Sequence, residues 1–561
     1  MGLDQMPHKN DELLFVPLGG TGEIGMNLNL YGFGTEEDRK WIMVDLGVTF
    51  SDGRTPGVDV IMPDPTFIEE HRKDLIAIIL THAHEDHIGA VAHLWPKLRC
   101  PVYATPFTAE LVKGKLVEAG IEQEVPLNIV DLGARFDLGP FDIEFVTLTH
   151  SIPEPNALAI RTALGTIMHT GDWKIDPGPV VGGTLDSKRL AEIGEEGVRA
   201  IVCDSTNVFN PGEAGSEADV GKSLTDLMAG LEGRVVVTTF ASNVARLESV
   251  IRAAEANGRH VVLAGRSMFR MIAAARDTGY LKSLPPLVNA EDAGYLPKEK
   301  VVFLCTGSQG EPRAALARIA ADTHRDIVLE EGDTVIFSSR IIPGNDVAIF
   351  EMQNDLARAG VRVITEKDHF VHVSGHPCRD ELTAMYQWIK PEVAIPVHGE
   401  ARHLLEHAAL AKELQVPETL VIANGDMVRL APGCAEVIDE VPSGRMVMDG
   451  DVLVPSWDAG IQERRRLAFA GAVFVSVALD DKGVVQGDPE IRLIGLPERD
   501  SHGVRFEEHA YDALDGALDQ LPQRRRKDDA QVAEYLRRAV RSTIRKEWGK
   551  KSAVEVIVTR V

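Results

Sequence analysis

The sequence predicts a layered α/β protein of several domains, and three observations predict it. Strand-like and helix-like segments alternate along the first two hundred residues. Residues 75–81 (LIAIILT) form a continuous apolar run, as in a strand buried on both faces. The length of 561 residues exceeds one ordinary domain and leads to an expectation of roughly three or four units.

The elements follow in order. Residues 13–18 (LLFVPL) read as a strand ending at the turn Gly19-Gly20-Thr21-Gly22. Strands are expected at 26–31, 41–45 and 75–81, then a helix-like stretch at 88–98. Further strands fit 102–104, 141–148, 158–163, 166–170 and 199–203. From about 216 to 376 the pattern changes to repeated helix–strand units, with strands at 234–240, 260–264, 300–305, 334–338 and 361–364. That reads as an α/β domain inserted within the first. Strands at 393–397 and 419–422 return to the original core, and Val441–Ser456 reads as a connecting segment. The remainder carries an arginine-rich helix at about 528–547 and a last strand at 554–560, a small α+β domain. The expected borders are 1–215, 216–376, 377–455 and 456–561.

Composition narrows the class. A hydrophobic fraction of 44% with 26% charged residues is ordinary globular material. No apolar run is long enough to span a membrane, and the polar start Met1–Asn10 does not read as a signal peptide. The cysteines Cys100, Cys203, Cys305, Cys378 and Cys434 are scattered and odd in number, which argues against a disulfide framework and for a cytoplasmic protein. The net charge of −26 speaks against a wholly basic nucleic-acid glove. It leaves room for a local basic surface or for metal ions that hold phosphates. Two arginine runs lie near the end, Arg464-Arg465-Arg466 and Arg524-Arg525-Arg526-Lys527; a solvated face and an RNA or partner surface both fit them.

The chemistry is carried by His82-Ala83-His84-Glu85-Asp86-His87, directly after the buried strand. A loop leaving a strand end turns alternate side chains into one space. His82 and His84 then share one metal, while Asp86 and His87 reach a second. Imidazole and carboxylate ligands suit zinc or manganese. Three more candidates stand at other strand ends: His150 after FVTLT, Asp172 in HTGDW and His398 in PVHGE. They complete two coordination spheres. His82, His84 and His150 hold the first metal, Asp86, His87 and His398 the second, and Asp172 bridges with its two oxygens. Asp45, after the third strand, is the expected partner that orients a ligand histidine.

The order Asp45, HxHxDH, His150, Asp172 resembles the metallo-β-lactamase superfamily, which implies an αββα sandwich. Asp204 in CDSTN, His376 in HVSGH and His398 in PVHGE resemble motifs A, B and C of the β-CASP nucleases, and the segment 216–376 sits where those carry their β-CASP domain. The whole arrangement resembles the bacterial ribonuclease J family. That resemblance implies a metal-dependent 5′-to-3′ exoribonuclease with endonuclease activity, acting on 5′-monophosphorylated single-stranded RNA in mRNA decay and rRNA maturation. It also implies two divalent metal ions per subunit (zinc first, manganese second), a homodimer or homotetramer, and partners in an RNA-decay complex. His376 is then the acid for the leaving oxygen and Asp204 its orienting partner, although DSTN also suits a helix cap or turn. His372-Val373-Ser374-Gly375-His376 looks like the nucleotide-contacting loop of the family, and Ala241, Ser242 and Asn243 after Phe240 look like a second phosphate contact. Ser338-Ser339-Arg340, before Pro343-Gly344-Asn345, and the turn Gly307-Ser308-Gln309-Gly310 fit either a cleft-facing phosphate contact or plain polar loops.

Rival readings fare less well. A thioester or lactam hydrolase needs no insertion of this size, and a tRNA 3′-end processing enzyme would lack it. An iron-binding redox relative would replace a histidine of the cluster by an acid. An endonuclease-only enzyme stays open. An inactive RNA-binding scaffold would have lost ligands, whereas all seven candidates are present.

Overall fold

The computed structural model describes residues 8–51 and 55–561, so most of the polar stretch Met1–Asn10 lies outside the described residues. The chain forms two compact units, Met1–Thr49 with Ile61–Met446, and Phe50–Val60 with Val447–Val561.

The first unit is built on two sheets. One has eight strands in the order Glu436–Glu440, Asp426–Ala431, Glu12–Gly19, Leu28–Gly34, Lys40–Val44, Leu75–Ile79, Val102–Ala104 and Leu127–Ile129. The other has seven, in the order Arg135–Leu138, Phe141–Thr147, Asn156–Thr162, Gly165–His169, Ala200–Asp204, Val393–Val397 and Glu418–Thr419. The sheets share one core. Phe15, Tyr31, Ile42 and Ile79 of the first meet Phe145, Leu158, Ile160, Val202 and Ile395 of the second. Each such side chain contributes roughly 1.5–3 kcal/mol by leaving water. Leu190, Ile193, Met385, Tyr386 and Leu410 bring the helices Ser187–Glu196, Arg379–Ile389 and Ala401–Glu413 onto the outer face of the second sheet. The helix Pro106–Ala119 packs on the edge strands of the first. The result is the expected αββα sandwich.

The inserted domain is a separate layer with its own core. Its five strands run His260–Ala264, Val301–Cys305, Val235–Thr238, Thr334–Phe337 and Arg362–Ile364, and every pairing is parallel. Parallel strands need crossover helices, and Val244–Ala256, Arg266–Asp277 and Asp346–Arg358 are among those that supply them. In the second unit, Ala472–Leu479 pairs with Glu490–Ile494 and with Ala553–Arg560. Val473, Val475 and Val477 point to one face and pack on the helices Phe506–Gln520 and Asp529–Trp548. The second of these helices presents Leu536, Val540 and Ile544 at four-residue spacing, the stripe that a helix buries on a sheet.

The structure adds elements that were not expected, among them the strands Leu127–Ile129, Arg135–Leu138, Ala472–Leu479 and Glu490–Ile494 and the helix Phe506–Gln520, and it departs from the expected elements in further ways. The stretch 88–98 is two helices, Glu85–Ile88 and Val91–Leu98, so Asp86 and His87 lie on a helical turn rather than in a loop. Val441–Ser456 is no mere connector, because it contains the neighbouring strands Arg445–Asp449 and Val452–Pro455. Asp426–Ala431 and Glu436–Glu440 extend the first sheet although EVIDE is exposed along its whole length and carries no alternation to read. All five cysteines are free thiols. Among the described residues no helix is long and apolar enough to cross a membrane.

Candidate metal centre and active site

The site forms where strands of both sheets end. Asp45 follows Lys40–Val44, His82 follows Leu75–Ile79, His150 follows Phe141–Thr147 and Asp172 follows Gly165–His169. Asp204 closes Ala200–Asp204, whose parallel partner Val393–Val397 sets Val397 opposite it and His398 one step beyond. Carboxyl ends of strands are where loops are free to present side chains without breaking the ladder. Two of these residues leave their strands in the left-handed region, Asp45 at φ 63° and His398 at φ 53°. Such a backbone costs about 1–3 kcal/mol and persists where neighbours enforce it. Asp45 is held by the N–H of Thr81 at 2.8 Å and by Nδ1 of His87 at 2.7 Å. The N–H of His398 donates to the carbonyl of Gly20 at 2.6 Å.

The side chains gather into two groups. In the first, Nε2 of His82 lies 3.1 Å from Nδ1 of His84, which lies 3.0 Å from Nε2 of His150. In the second, Nε2 of His87 is 3.6 Å from Oδ2 of Asp86, and Nε2 of His398 is 3.7 Å from the same oxygen. Asp172 belongs to both. Its Oδ2 is 3.8 Å from His82, 3.9 Å from His150 and 3.2 Å from His87, and its Oδ1 is 3.7 Å from Nδ1 of His398. The potential ligand atoms within each group lie within 4.8 Å of one another.

These contacts make poor sense as protein alone. Oδ1 of Asp172 and Nε2 of His398 are buried with no hydrogen-bond partner. An unsatisfied buried polar group costs about 1–3 kcal/mol. Three imidazole nitrogens facing one another cannot all be donors and acceptors in turn. A divalent cation resolves both problems, and the nitrogen and carboxylate donors are those such ions take. The electrostatics fit too. Burial, then the charge of His87, holds His82 well below its ordinary range, burial pushes His84 down to about 4, and burial with His84 lowers His150. All three are neutral lone-pair donors at pH 7. Burial opposes the ionised form of Asp172, but His398, His87 and His376 override it and keep the carboxyl well below its usual range.

Beside this cluster stands the pair His376 and Asp204. Nδ1 of His376 donates to Oδ2 of Asp204 at 2.8 Å and lies 3.9 Å from Oδ2 of Asp172. Burial works against the imidazolium, yet the charges of Asp204 and Asp172 prevail and raise it to about 9. The other oxygen of Asp204 accepts from the N–H and hydroxyl of Thr206, at 2.8 and 2.7 Å. The turn role and the histidine-orienting role are therefore both present, one on each oxygen. The loop 372–376 is tied to the centre. Nδ1 of His150 donates to the carbonyl of Gly375, and Asn207 donates to Oγ of Ser374 and to the carbonyl of His376. His372 is half-buried, and Val373 is buried against Gly215.

The remaining expected contacts divide. Ala241 and Ser242 are half-buried, at the start of Val244–Ala256. Asn243 corrects the reading of a phosphate contact: its side chain is buried, caps that helix on the N–H of Arg246 and approaches Glu217. Ser338 and Ser339 are also buried rather than cleft-facing, and Ser338 donates to the carbonyl of Val371. Gln309 spends its amide on Arg340, Ile342 and Asn345, so the turn 307–310 braces a neighbouring loop.

Sequence reasoning missed two residues here. Asn27 reaches both Nε2 of His87, at 3.2 Å, and Nδ1 of His398, at 3.1 Å. Its only signal was its place after the glycine-rich turn. Arg246, fully buried, pairs with Glu217 at 3.0 Å and donates to the carbonyls of Ser338 and Val371. It thereby ties the start of the insertion to the loop that carries His376, and no local pattern announces an arginine whose partners are so distant in the chain.

Fold and site together define a metallohydrolase of the metallo-β-lactamase superfamily, and the model of that superfamily matches residues 35–187. Three further models match: the beta-CASP domain of ribonuclease J at 232–356, a Zn-dependent metallo-hydrolase RNA specificity domain at 360–420, and the ribonuclease J C-terminal domain at 459–561. The chain belongs to the ribonuclease J family. It is 52% identical over 553 residues to ribonuclease J of Sinorhizobium meliloti, covering 99% of this chain and 98% of that one. Ribonuclease J of Corynebacterium glutamicum is 37% identical over 544 residues, 96% of this chain and 74% of its own. That of Thermus thermophilus is 37% identical over 486 residues, 85% of this chain and 84% of its own. A crystal structure of a protein of unknown function from Enterococcus faecalis V583 aligns over 74% of this chain and 100% of its own, with a TM-score of 0.50 and 17% identity, and supports the fold.

Proposed function

We propose that this chain is a metal-dependent ribonuclease that removes nucleotides from the 5′ end of monophosphorylated single-stranded RNA and also cuts internally. The observation that carries the reading is Asp172, shared by two ligand groups and 3.9 Å from His376. His82, His84, His150 and Asp172 would hold one divalent cation, and Asp86, His87, His398 and Asp172 a second. Zinc suits the donors best, with manganese as the alternative. Bound there, the cations would supply positive charge for a phosphate oxygen and acidity for the attacking water.

The protein's own groups do the rest. Asp45 fixes the ring of His87 by accepting from its Nδ1, which leaves Nε2 free to serve as a ligand. As water attacks phosphorus and the bond to the 3′ oxygen breaks, that oxygen needs a proton, and His376 delivers it. Asp204 keeps His376 charged and aimed. Ser374, Gly375 and His372, with Ala241 and Ser242, are the proposed contacts to RNA phosphates.

The wider expectations rest on the family. They are roles in mRNA decay and rRNA maturation, a cytoplasmic location, a homodimer or homotetramer, and partners in a decay complex. The domain borders 1–215, 216–376, 377–455 and 456–561 are proposed on the same footing. The decisive experiment incubates purified protein and metal with RNA labelled at a 5′-monophosphate end, with His84→Ala as control. Release of labelled mononucleotide, lost in the variant, is expected. Longer labelled fragments alone would establish an endonuclease-only enzyme. No metal-dependent cleavage with zinc or manganese would overturn the ribonuclease reading.

A further inference from the structure

The second unit contains a groove of about 410 Å³ lined by Arg466, Arg541, Arg545, Lys550 and Lys551, with Phe469, Ala470 and Gly549 beside them. Arg466 and Phe469 come from one turn of the helix Ala459–Ala470, and Arg541 and Arg545 from successive turns of Asp529–Trp548. Lys550 and Lys551 enter from the segment after that helix. The arginine-rich stretches of the sequence are thus sorted by the fold. Arg464 is paired with Asp449, Arg537 and Arg538 with Glu534, and Arg560 with Asp529. Among the described residues, the side chains of Arg466, Arg541, Arg545 and Lys551 have neither a carboxylate nor a hydrogen-bond partner. In a chain of net charge −26, acidic groups are not scarce. Cations left together unneutralised repel one another, and a polyanion relieves that repulsion.

The groove also has an aromatic side. Phe469 is 68% exposed. Nζ of Lys550 lies 4.7 Å from its ring centre and 4.9 Å from that of Trp548, and donates to the carbonyl of Phe469 at 3.0 Å. The lysine holds the Phe469 backbone while much of the ring remains in solvent. Cations that track a backbone beside an open ring are the combination by which proteins hold single-stranded nucleic acid, through phosphates and base stacking. An acidic peptide would use the charges and have no use for the ring.

We propose that this groove binds single-stranded RNA through its phosphates, with a base stacked on Phe469, as a contact separate from the residues that hydrolyse it. The inference rests on the ribonuclease reading for its choice of polyanion. The groove gives long RNA an additional hold that a short oligonucleotide does not use.

The test compares the full-length protein with an Arg541→Ala/Arg545→Ala/Lys551→Ala variant and with Phe469→Ala. Binding of a long unstructured RNA is read by fluorescence anisotropy over a salt series, and hydrolysis is read on the same RNA and on a short oligonucleotide. Each lost phosphate contact lowers the slope of log affinity against log salt by about 0.7 for single strands, so the triple variant is expected to lose about 2 in slope. Its KM for long RNA rises at least about tenfold (a 1.4 kcal/mol loss) while hydrolysis of the short oligonucleotide is unchanged. Phe469→Ala weakens binding and leaves the salt slope alone. Arg541→Lys/Arg545→Lys retains the slope, which separates charge from folding. Wild-type slope and KM in the triple variant would overturn the proposal. So would equal loss on long and short substrates, displacement of RNA by polyglutamate with no effect of Phe469→Ala, or a changed oligomeric state on sizing. A wild-type enzyme that binds long RNA through the groove but hydrolyses none would sink the ribonuclease reading and leave the groove standing.

Discussion

Nδ1 of His150 lies 2.5 Å from the carbonyl oxygen of Gly375, 225 residues further along the chain. This one bond joins a histidine of the proposed metal centre to the loop that carries His376. It orients the ring so that Nε2 faces His84 and Asp172. It also requires a residue without a side chain, because a Cβ on Gly375 would stand 2.6 Å from Cε1 of His150.

Gly375→Ala therefore displaces either His150 or the loop. Partners that orient ligand histidines are worth 10–100-fold in metal affinity or activity. A loss of about that size is expected in a chelator competition assay, with the far-ultraviolet circular dichroism unchanged. Wild-type affinity in a folded variant would show that the contact does not position the ligand.

Asp204→Asn tests the proton donor. His376 is raised to about 9 chiefly against the cost of burial, by Asp204 and then Asp172. An acid must be protonated to act, so activity falls as pH rises through its pKa. Removing the Asp204 charge lowers that pKa, and the basic limb of the kcat profile moves to lower pH. The maximum rate falls as well, in the range of about 10²–10⁴-fold that a positioned acid supplies. A limb that stays in place assigns the ionisation to another group.

Metal removal should act on stability as well as on activity. The cluster holds Asp172 and His398 atoms with no partner in the protein, and a bound divalent ion would be their counterpart. A ligand that binds only the native state stabilises it in proportion to log concentration above Kd. Chelation is expected to lower the melting temperature, and zinc or manganese to restore it. His84→Ala should melt at nearly the same temperature with and without chelator if the first group dominates.

Arg246→Met leaves Glu217 as a buried charge without its partner. Breaking such a pair costs about 3–5 kcal/mol, whereas replacing both members by apolar residues is often near neutral. Arg246→Met should lower the melting temperature more than Arg246→Met/Glu217→Leu. Both should raise KM for RNA, because the carbonyl of Val371, just before His372, loses one of its two donors and keeps only Ser338. Equal melting temperatures for the two variants would show that the pair carries no uncompensated charge.

Much of this protein was legible in one dimension. The apolar run before His82 announced a doubly buried strand, because a strand covered on both faces has no polar face to alternate. The spacing of His82, His84, Asp86 and His87 pointed to metal ligation, because so many donors in six residues are hard to place otherwise, and the fold does bring these donors together with His150, Asp172 and His398. Motif resemblance then added Asp204, His376 and His398. Asn243, Ser338 and Gln309 show the limit of such reading. A polar residue after a strand is equally suited to meet a phosphate or to cap a helix and brace a loop, and only its surroundings decide.

What the sequence determined by itself was the local chemistry: which segments bury, where the strands end and which donors stand at those ends. What only the tertiary structure decided was pairing across distance. Asn27 between His87 and His398, Arg246 on Glu217 and Val371, and His150 on Gly375 each join residues far apart in the chain. The same holds for the groove of the second unit, where Arg466 and Phe469 meet Arg541, Arg545, Lys550 and Lys551. The physical reason is common to all of them. Hydrogen bonds and ion pairs act over a few ångströms in space, and contacts between segments hundreds of residues apart leave no periodicity in the sequence to be read.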